Sequence, residues 1–460
     1  MIMAPPGRTR WTALCVSSLV FAGRSCEDAC RWVGGCSGSF CDLPAASCRR
    51  FPSVPDVRAA NLEIRSVPAD PRPVAFDPFH VERELLRRRA FNLRWATVDA
   101  DVIPLTAADP DFPVAPRIRE AIAAHTADGV LGYGPTEGFS GFRAAVAGML
   151  GARNISAHPD RILASDGAAS ALWAACRAVL ETGDEALNFD PVDFLLPHCS
   201  QQAGATVVRC PLEDGTGEIP EGALEERITG RTKAILLCNP HNPTGRVLRR
   251  DELRRIADLA CEHDLVIIND EVWSEIILGE LAFTSIASLS PEIAERTITV
   301  SGFSKSYGLA GLRIGFIHSG SERLHRQVLE ASGAPRTTFG ASVLSQVAAE
   351  AAILHCDRWL AGFLEHLRAM RAMAVPRLDA LPGFACSAPE GTYLLFPDIR
   401  ATGFDEQTLA QRLHDEARVA VVPGLGRWFG PGAEGHLRLS FATTEEILDE
   451  ALGRIEKVLG

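Results

Sequence analysis

The stretch SGFSKSYGLAGLRIG, residues 301–315, follows the apolar run TITV at 297–300 and presents Lys305 on a glycine-rich loop at a predicted strand end. A lysine amine becomes a covalent catalyst when it forms a Schiff base with a carbonyl. A lone lysine is more often solvated. Arg313, however, lies eight residues further on, where its guanidinium could hold a phosphate. The pair indicates a site for a phosphorylated aldehyde.

Two more predicted strands end in polar side chains. Residues 233–245 read KAILLCNPHNPTG, and residues 265–270 read LVIIND. Short apolar runs that alternate with helical stretches are typical of a parallel sheet. Ligands bind such sheets at the carboxyl ends of the strands. We therefore expect Asn242, Asp270 and Lys305 to lie in one crevice.

Pyridoxal 5'-phosphate is a phosphorylated aldehyde widely used in amino-acid chemistry, and these residues suit it. A carboxylate at Asp270 would keep the pyridine nitrogen protonated, so that the ring accepts electron density. The amide of Asn242 would donate to the phenolic oxygen and set the angle of the ring. Taken singly, Asp270 could cap a helix and residues 239–245 could form ordinary turns. Three such coincidences in this order are less expected than one cofactor site.

With these blocks, residues 74–460 resemble the fold-type I pyridoxal-phosphate enzymes of aminotransferase class I/II. The resemblance implies an α/β fold. A large domain has a mixed, mostly parallel seven-stranded sheet sandwiched by helices, and a smaller C-terminal domain is α+β. The resemblance also implies a homodimer with the active site at the subunit interface. Lys305 would carry the cofactor as an aldimine and act as general base once an incoming amine displaces it.

Further site residues follow from the resemblance by position. The turn at 165–170 precedes a helical pattern, and backbone amides at a helix N-terminus suit a phosphate. Tyr133 matches the tyrosine that reaches the phosphate of the neighbouring subunit, and Arg438 matches the arginine that binds the α-carboxylate of the substrate. A capping turn, a surface aromatic and a solvent-facing strand arginine are the alternatives. The expected cofactor contacts are Tyr133, Gly167, Ala168, Ala169, Phe194, Asn242, Asp270, Trp273, Ser304, Lys305 and Arg313, and the expected substrate contacts are Ala108, Asn242 and Arg438.

Several positions depart from the pattern of the family. Asp193 stands where the family normally places an aromatic ring over the cofactor, so either Phe194 takes that role or the pocket holds a carboxylate. Trp273 replaces a tyrosine that bonds the phenolic oxygen in many transaminases. Gly302 replaces a frequent serine or threonine phosphate ligand, a task that Ser304 or the neighbouring Ser301 could take over. These departures affect substrate specificity more than cofactor use.

Ala108 lies in IPLTAADPDFP, residues 103–113, which is similar to the early signature of the C-S lyase branch that contains cystathionine beta-lyase-like enzymes. The specific blocks are generic to the class, so we expect an aminotransferase that acts on an L-amino acid and a 2-oxo acid. The alternative is a C-S beta-lyase that releases pyruvate and ammonia. A catalytically inactive ligand-binding or regulatory relative is a second alternative, although the principal site residues are all present.

The composition is typical of a soluble enzyme with a large core, because 47% of the 460 residues are hydrophobic. The net charge of −12 disfavours nucleic acid and anionic membranes as partners. No apolar run is long enough to predict a transmembrane helix. We expect small-molecule substrates and no metal.

Residues 1–75 have a different character, since six of the thirteen cysteines lie in the first 48 residues. Arg8 and Arg10 before an apolar stretch could begin a secretory signal, but no small-residue cleavage site follows. A zinc module would need paired C-x-x-C units, which the spacing lacks. We favour a disordered or misannotated extension. The seven remaining cysteines then fit a reducing cytoplasm.

The remainder divides into an N-terminal arm at 76–110, a large cofactor-binding domain at 111–335, and a linking helix with a small domain at 336–460. A helix is predicted within 78–95, and one long helix at 339–381. In the C-terminal part, we expect strands at 392–396, 419–422 and 436–441 and a closing helix at 444–459 capped by Thr443 or Thr444.

Overall fold

The structure, a computed structural model, describes residues 75–460. Residues 1–74, which make up nearly all of the predicted extension and hold its six cysteines, lie outside the described residues. The helices are α1 (Arg83–Arg89), α2 (Pro116–Thr126), α3 (Ser140–Gly151), α4 (Ala168–Val179), α5 (Leu195–Gln202), α6 (Arg250–Glu262), α7 (Pro291–Glu295), α8 (Glu322–Ser332), α9 (Val343–His355), α10 (Asp357–Asp379), α11 (Glu406–Arg412), α12 (Gly426–Phe429) and α13 (Glu445–Leu459). The strands are β1 (Ile103–Pro104), β2 (Ile162–Ser165), β3 (Glu185–Asp190), β4 (Thr206–Pro211), β5 (Thr232–Cys238), β6 (Val266–Asp270), β7 (Thr297–Gly302), β8 (Gly315–Ser319), β9 (Leu394–Leu395), β10 (Val419–Ala420), β11 (Val422–Pro423) and β12 (Leu437–Ser440).

The largest sheet has seven strands in the order β2-β8-β7-β6-β5-β3-β4. β8 is antiparallel to its neighbours β2 and β7, and the remaining pairs are parallel. The prediction of a mixed, mostly parallel α/β sheet is therefore confirmed.

The sheet is buried on both faces because helices cover each side. Along β5, Ile235 belongs to a core cluster with Leu253 and Ile256 of α6, whereas Leu236 belongs to a cluster with Leu172 of α4. Successive side chains of a strand point to opposite faces, so a continuous apolar run serves both helices. This arrangement fixes the strand ends on which the polar residues lie.

Three short strands form a second, antiparallel sheet in the order β11-β12-β9, and β1 pairs in parallel with β10. The strand predicted at 419–422 is split between β10 and β11. Thr444 caps α13, because its hydroxyl accepts a hydrogen bond from the Ile447 backbone N–H at 3.3 Å. Arg83 of α1 donates to Glu450 of α13 at 2.8 Å. The two sheets use separate parts of the chain, 162–319 and 394–440, and the domain boundary near residue 335 stays a prediction.

The two long helix predictions were wrong in extent. The helix predicted at 339–381 is interrupted at Cys356, whose φ of −117° and ψ of 18° leave the helical region, so that α9 and α10 are separate. The segment before it is not helical because Phe339 and Gly340 have φ of 55° and 91°. At 78–95 only α1 is an α-helix, since Ala90, with φ of −95° and ψ of 83°, leaves the helical region. None of the helices within residues 75–460 is long and apolar enough to cross a membrane.

Candidate active site

Three adjacent strand ends bring the central predicted residues together. Asp270 is the last residue of β6, Asn242 follows β5 by four residues, and Lys305 follows β7 by three. β5, β6 and β7 are parallel neighbours whose register aligns Cys238 with Asp270 and Asp270 with Val300. The side chains therefore face one crevice at the carboxyl edge of the sheet.

Lys305 is one of three lysines in the chain and is partly buried, whereas Lys233 and Lys457 are exposed. Its Nζ donates a hydrogen bond to the carbonyl of Ala108 at 2.7 Å, and the Tyr393 hydroxyl donates to the same carbonyl at 3.2 Å. Burial lowers the pKa of Lys305. The protein therefore favours the neutral amine, which is the nucleophilic and basic form.

Aromatic rings line the apolar side of this lysine. Nζ of Lys305 lies 5.3 Å from the centroid of the Trp273 ring, and Trp273 packs edge-on against Tyr393 with centroids 4.7 Å apart. Trp273 is fully buried and carries no hydroxyl in the position of the tyrosine that it replaces. Its ring excludes water from one side of the amine.

Asp270 brings a carboxylate into this crevice from the end of β6. The pKa of Asp270 is raised to about 7, mainly by burial. The backbone N–H of Val272, which donates to Oδ1 at 3.0 Å, opposes this shift, and the carboxylate of Asp193 adds to it. A cation beside this carboxylate would restore its ionised form, because opposite charges stabilise each other. A protonated ring nitrogen is such a cation.

The turn before α4 forms a corner lined by unpartnered backbone N–H groups. Gly167 has φ of 90°, and no side chain caps α4, so the N–H groups of Ala168 and Ala169 have no helical acceptor. Arg313 extends to this corner and donates to the Asp166 carbonyl at 3.3 Å. A Cβ at position 167 would lie 3.3 Å from the Arg313 guanidinium, so a larger residue there would crowd it. Free N–H groups beside a guanidinium suit a phosphate.

The two serines proposed to replace the missing phosphate ligand at Gly302 differ in availability. The Ser301 hydroxyl donates to the Glu271 carbonyl at 3.0 Å and is buried in the sheet. The Ser304 side chain is partly exposed and has no hydrogen-bond partner within residues 75–460. Gly302 itself approaches the corner closely, since a Cβ there would lie 3.4 Å from the Ala168 nitrogen.

Arg438 is a buried guanidinium in the small sheet, with 8% of its surface exposed. Nη1 donates to Asn242 Oδ1 at 3.4 Å and Nη2 to the Thr106 carbonyl at 3.2 Å, while the ring of Phe429 lies 5.1 Å away. Its Nε has no hydrogen-bond partner, and no carboxylate lies within ion-pair distance in the described residues. A buried charge without a counter-ion is costly. A substrate carboxylate would supply the missing partner.

Three predicted residues lie apart from the centre or make other contacts. Phe194 is 36% exposed and packs edge-on against Trp428, with centroids 5.7 Å apart. Asp193 accepts a hydrogen bond from the Asn242 amide at 2.7 Å. Tyr133 is 91% exposed and its ring lies 5.9 Å from that of Phe339. Within one chain, Tyr133 belongs to the surface.

The sequence reasoning missed the backbone acceptor Thr106 and the side chains of Tyr393 and Phe429. It also missed Asp109, whose carboxylate opposes the burial that lowers the pKa of Lys305. Tyr393 falls in the strand predicted at 392–396, and Asp109 falls within the segment 103–113. The sequence analysis therefore covered both residues but assigned neither of them to the site. Nothing in the sequence marks a carbonyl as an acceptor, because nearly every residue has one.

The donor set fits pyridoxal phosphate. An uncapped helix end and Arg313 suit the phosphate, the amide of Asn242 and the carboxylate of Asp270 suit the ring, and a partly buried amine suits the aldehyde. The guanidinium of Arg438 lies beside Asn242, where it could hold the acid group of an amino acid.

Comparison with known proteins agrees with this chemistry. The model of the family described as aminotransferase class I and II matches residues 100–455. An aspartate aminotransferase from Pyrococcus abyssi is 35% identical over 369 residues, which cover 78% of this chain and 92% of the relative. The crystal structure of an aromatic aminotransferase from Pyrococcus horikoshii is 33% identical, with a TM-score of 0.73 over 78% of this chain and 95% of that one. The crystal structure of cystalysin from Treponema denticola, which contains pyridoxal 5'-phosphate, is 26% identical, with a TM-score of 0.75 over 81% of this chain and 96% of that one.

Proposed function

Since the chain belongs to the aminotransferase class I and II family, we propose that it transfers an amino group between an L-amino acid and a 2-oxo acid at the site around Lys305. It is a pyridoxal-phosphate-dependent aminotransferase, so the family, the cofactor and the reaction class predicted from the sequence are confirmed. Nothing in the comparisons favours the alternative of beta-elimination.

Pyridoxal phosphate, when bound, supplies an aldehyde that an amine can join and a ring that accepts electron density. We assign its phosphate to the first-turn N–H groups of α4 and to Arg313, with Ser304 as a further hydroxyl donor. Asp270 would face the ring nitrogen and Asn242 the phenolic oxygen. The uncapped helix end and the raised pKa of Asp270 support this assignment.

The proton transfers belong to Lys305. Burial lowers the pKa of this amine, so its neutral form can accept a proton from the α-carbon of an amino acid. The Ala108 carbonyl, 2.7 Å from Nζ, holds the amine on the side of the crevice that faces Trp273 and Tyr393. Arg438, whose Nε has no hydrogen-bond partner in the described residues, would bind the α-carboxylate and orient the α-carbon.

The observation that carries the proposal is the partly buried amine of Lys305 in one crevice with Asp270 and the unpaired guanidinium of Arg438. Purified protein supplied with pyridoxal phosphate should be yellow and should exchange amino groups between an amino-acid panel and 2-oxoglutarate. Because the chain has three lysines, borohydride reduction followed by peptide mapping should mark Lys305 and leave Lys233 unmarked.

Lys305→Ala should abolish the borohydride-fixed label and the exchange, and Lys233→Ala, which changes an exposed lysine, is the matched control. Retained turnover in Lys305→Ala would refute the assignment. Pyruvate and ammonia released from cystine without a keto acid, together with absent exchange across the panel, would favour the lyase instead.

We also propose the homodimer that the resemblance implies. Tyr133, Val130, Leu131 and Phe339 are 91%, 72%, 59% and 52% exposed, and an exposed apolar patch of this kind is typical of an interface. The patch supports a pairing in which Tyr133 reaches the phosphate corner of the partner subunit. Light scattering should give twice the chain mass of 49.5 kDa. A monomer that is fully active would contradict the pairing.

We further propose a cytoplasmic location. The seven cysteines in the described residues are all free thiols, which is usual for a reducing compartment. Fractionation of the native cells, with detection of the chain in the cytosolic fraction, tests this.

A further inference from the structure

Asp193 is held in one orientation by three hydrogen bonds. Its Oδ2 accepts from Asn242 Nδ2 at 2.7 Å, and its Oδ1 accepts from the Leu195 backbone N–H at 3.0 Å. Its own backbone N–H donates to the Asn242 carbonyl at 3.0 Å. Both carboxylate oxygens of Asp193 therefore accept a hydrogen bond. If the side chain turned, the charged carboxylate would lose at least one of these bonds.

These bonds decide which way the Asn242 amide points. Its nitrogen faces Asp193, and its oxygen accepts from Arg438 Nη1 at 3.4 Å. A flipped amide would place oxygen against a carboxylate and NH2 against a guanidinium, so both contacts would become repulsive. Asn242 is 5% exposed, and water therefore has little room to replace either partner.

The Asp193 carboxylate also influences the pKa values of the charged groups around it. Burial lowers the pKa of Arg438 and of Lys305, and the carboxylate of Asp193 partly opposes both shifts. At Asp270, where burial raises the pKa, Asp193 adds to the rise. Arg438 has no carboxylate within ion-pair distance in the described chain, so Asp193 reaches it across the Asn242 amide. Phe194, the other candidate for this position, packs instead against Trp428.

We propose that Asp193 is a positioning residue, which fixes the Asn242 amide and through it links the ring-facing amide to the carboxylate-binding guanidinium of Arg438. The proposal rests on the proposed function, because Asn242 and Arg438 are assigned there to the cofactor ring and the substrate. Asp193 thereby takes a place that the family normally gives to an aromatic ring, and works by hydrogen bonding in place of stacking.

A double-mutant cycle tests the link. The variants are Asp193→Leu, which removes the acceptor at similar size, Asn242→Ala, and the two combined, all as holoenzyme. The readouts are the circular dichroism of the visible band, which reports the ring angle, and kcat and KM measured separately for the amino acid. Asp251→Leu, which changes an exposed carboxylate at the start of α6, is the matched control and should leave both readouts unchanged.

Each single variant should lower kcat/KM by about tenfold or more, as expected for a lost charge-assisted hydrogen bond, and should reduce the visible circular dichroism. The combined variant should be no worse than Asn242→Ala alone, because the amide that Asp193 orients is already gone. The proposal would be overturned if the losses of kcat/KM in the two single variants multiplied in the combined variant. It would also be overturned if the visible band of Asp193→Leu kept the circular dichroism of the wild type.

A variant that fails to fold and a failure of the proposed function can each be distinguished from a failure of the Asp193 proposal. If Asp193→Leu does not fold, as judged by thermal unfolding, Asp193→Ala, which also removes the acceptor, replaces it in the same cycle with the same expected non-additivity. If the wild-type holoenzyme has no visible band, the proposed function fails before the cycle begins, whereas a yellow, active wild type with additive variants refutes only the role of Asp193.

Discussion

Arg438→Met should lower activity strongly without destabilising the cofactor-free protein. The guanidinium is 8% exposed, burial lowers its pKa, and its Nε has no partner in the described residues. Methionine has a similar length and no charge. Removing an uncompensated buried charge relieves a desolvation cost of up to several kcal/mol, so the unfolding temperature should stay level or rise.

The effect on turnover follows from the contacts that a substrate would gain. A carboxylate on Arg438 would accept about two charge-assisted hydrogen bonds, each contributing roughly 1.5–3 kcal/mol. Losing about 3 kcal/mol corresponds to a fall in kcat/KM on the order of 150-fold. Most of this fall should appear in KM if the contact is made equally in the ground state and the transition state.

The assay combines steady-state kinetics for an amino acid and its keto acid with thermal unfolding of cofactor-free protein. Arg438→Lys keeps the charge but loses the planar fork, so its kcat/KM should fall between those of the wild type and Arg438→Met. An Arg438→Met variant that keeps its KM, or that unfolds several degrees earlier than the wild type, would show that the guanidinium is structural and would refute the reasoning.

Asp270→Asn should change the pH dependence of unfolding without cofactor. Burial raises the folded pKa of Asp270 from 3.8 to about 7, so the wild type, which is neutral like the variant at low pH, should lose stability relative to the variant as the pH rises from about 4 to 7. Parallel calorimetric curves would contradict this. Gly315→Ala should weaken binding of pyridoxal phosphate, measured by fluorescence titration, because a Cβ would lie 2.5 Å from the Ser301 carbonyl and crowd the phosphate corner. Arg94→Met should destabilise the protein by about 3 kcal/mol in denaturant titration, because the buried Asp111 would lose its ion pair; an unchanged midpoint would count against that pair.

The strand ends could be predicted because they combine two local signals. Each central strand is a short apolar run, and a polar residue follows it, so β5 was predicted at 233–238 and begins one residue earlier. The same reasoning identified Asp270 and Lys305. The prediction that both residues lie at the same edge of the sheet followed from the common direction of parallel strands, which does not depend on side-chain packing.

The remaining features depend on packing that one sequence does not display. The helix break at Cys356 has neither proline nor glycine to mark it, and the propensities of the residues there differ by only a few tenths of a kcal/mol. The orientation of the Asn242 amide depends on Asp193, which lies 49 residues earlier in the chain. The residues flanking Lys305 gave no sign that the Ala108 carbonyl would hold its amine.

The contacts that hold Lys305 and Arg438 span much of the chain. Lys305 bonds a carbonyl 197 residues away, and Arg438 bonds one 332 residues away. Contacts between such distant segments form slowly and late, because the intervening chain must first be ordered. A nascent or partly refolded chain would thus hold its lysine without the surroundings that lower its pKa. Growth of the visible band during refolding would then time the final assembly of the two sheets, and would distinguish complete molecules from compact intermediates that have only the larger sheet.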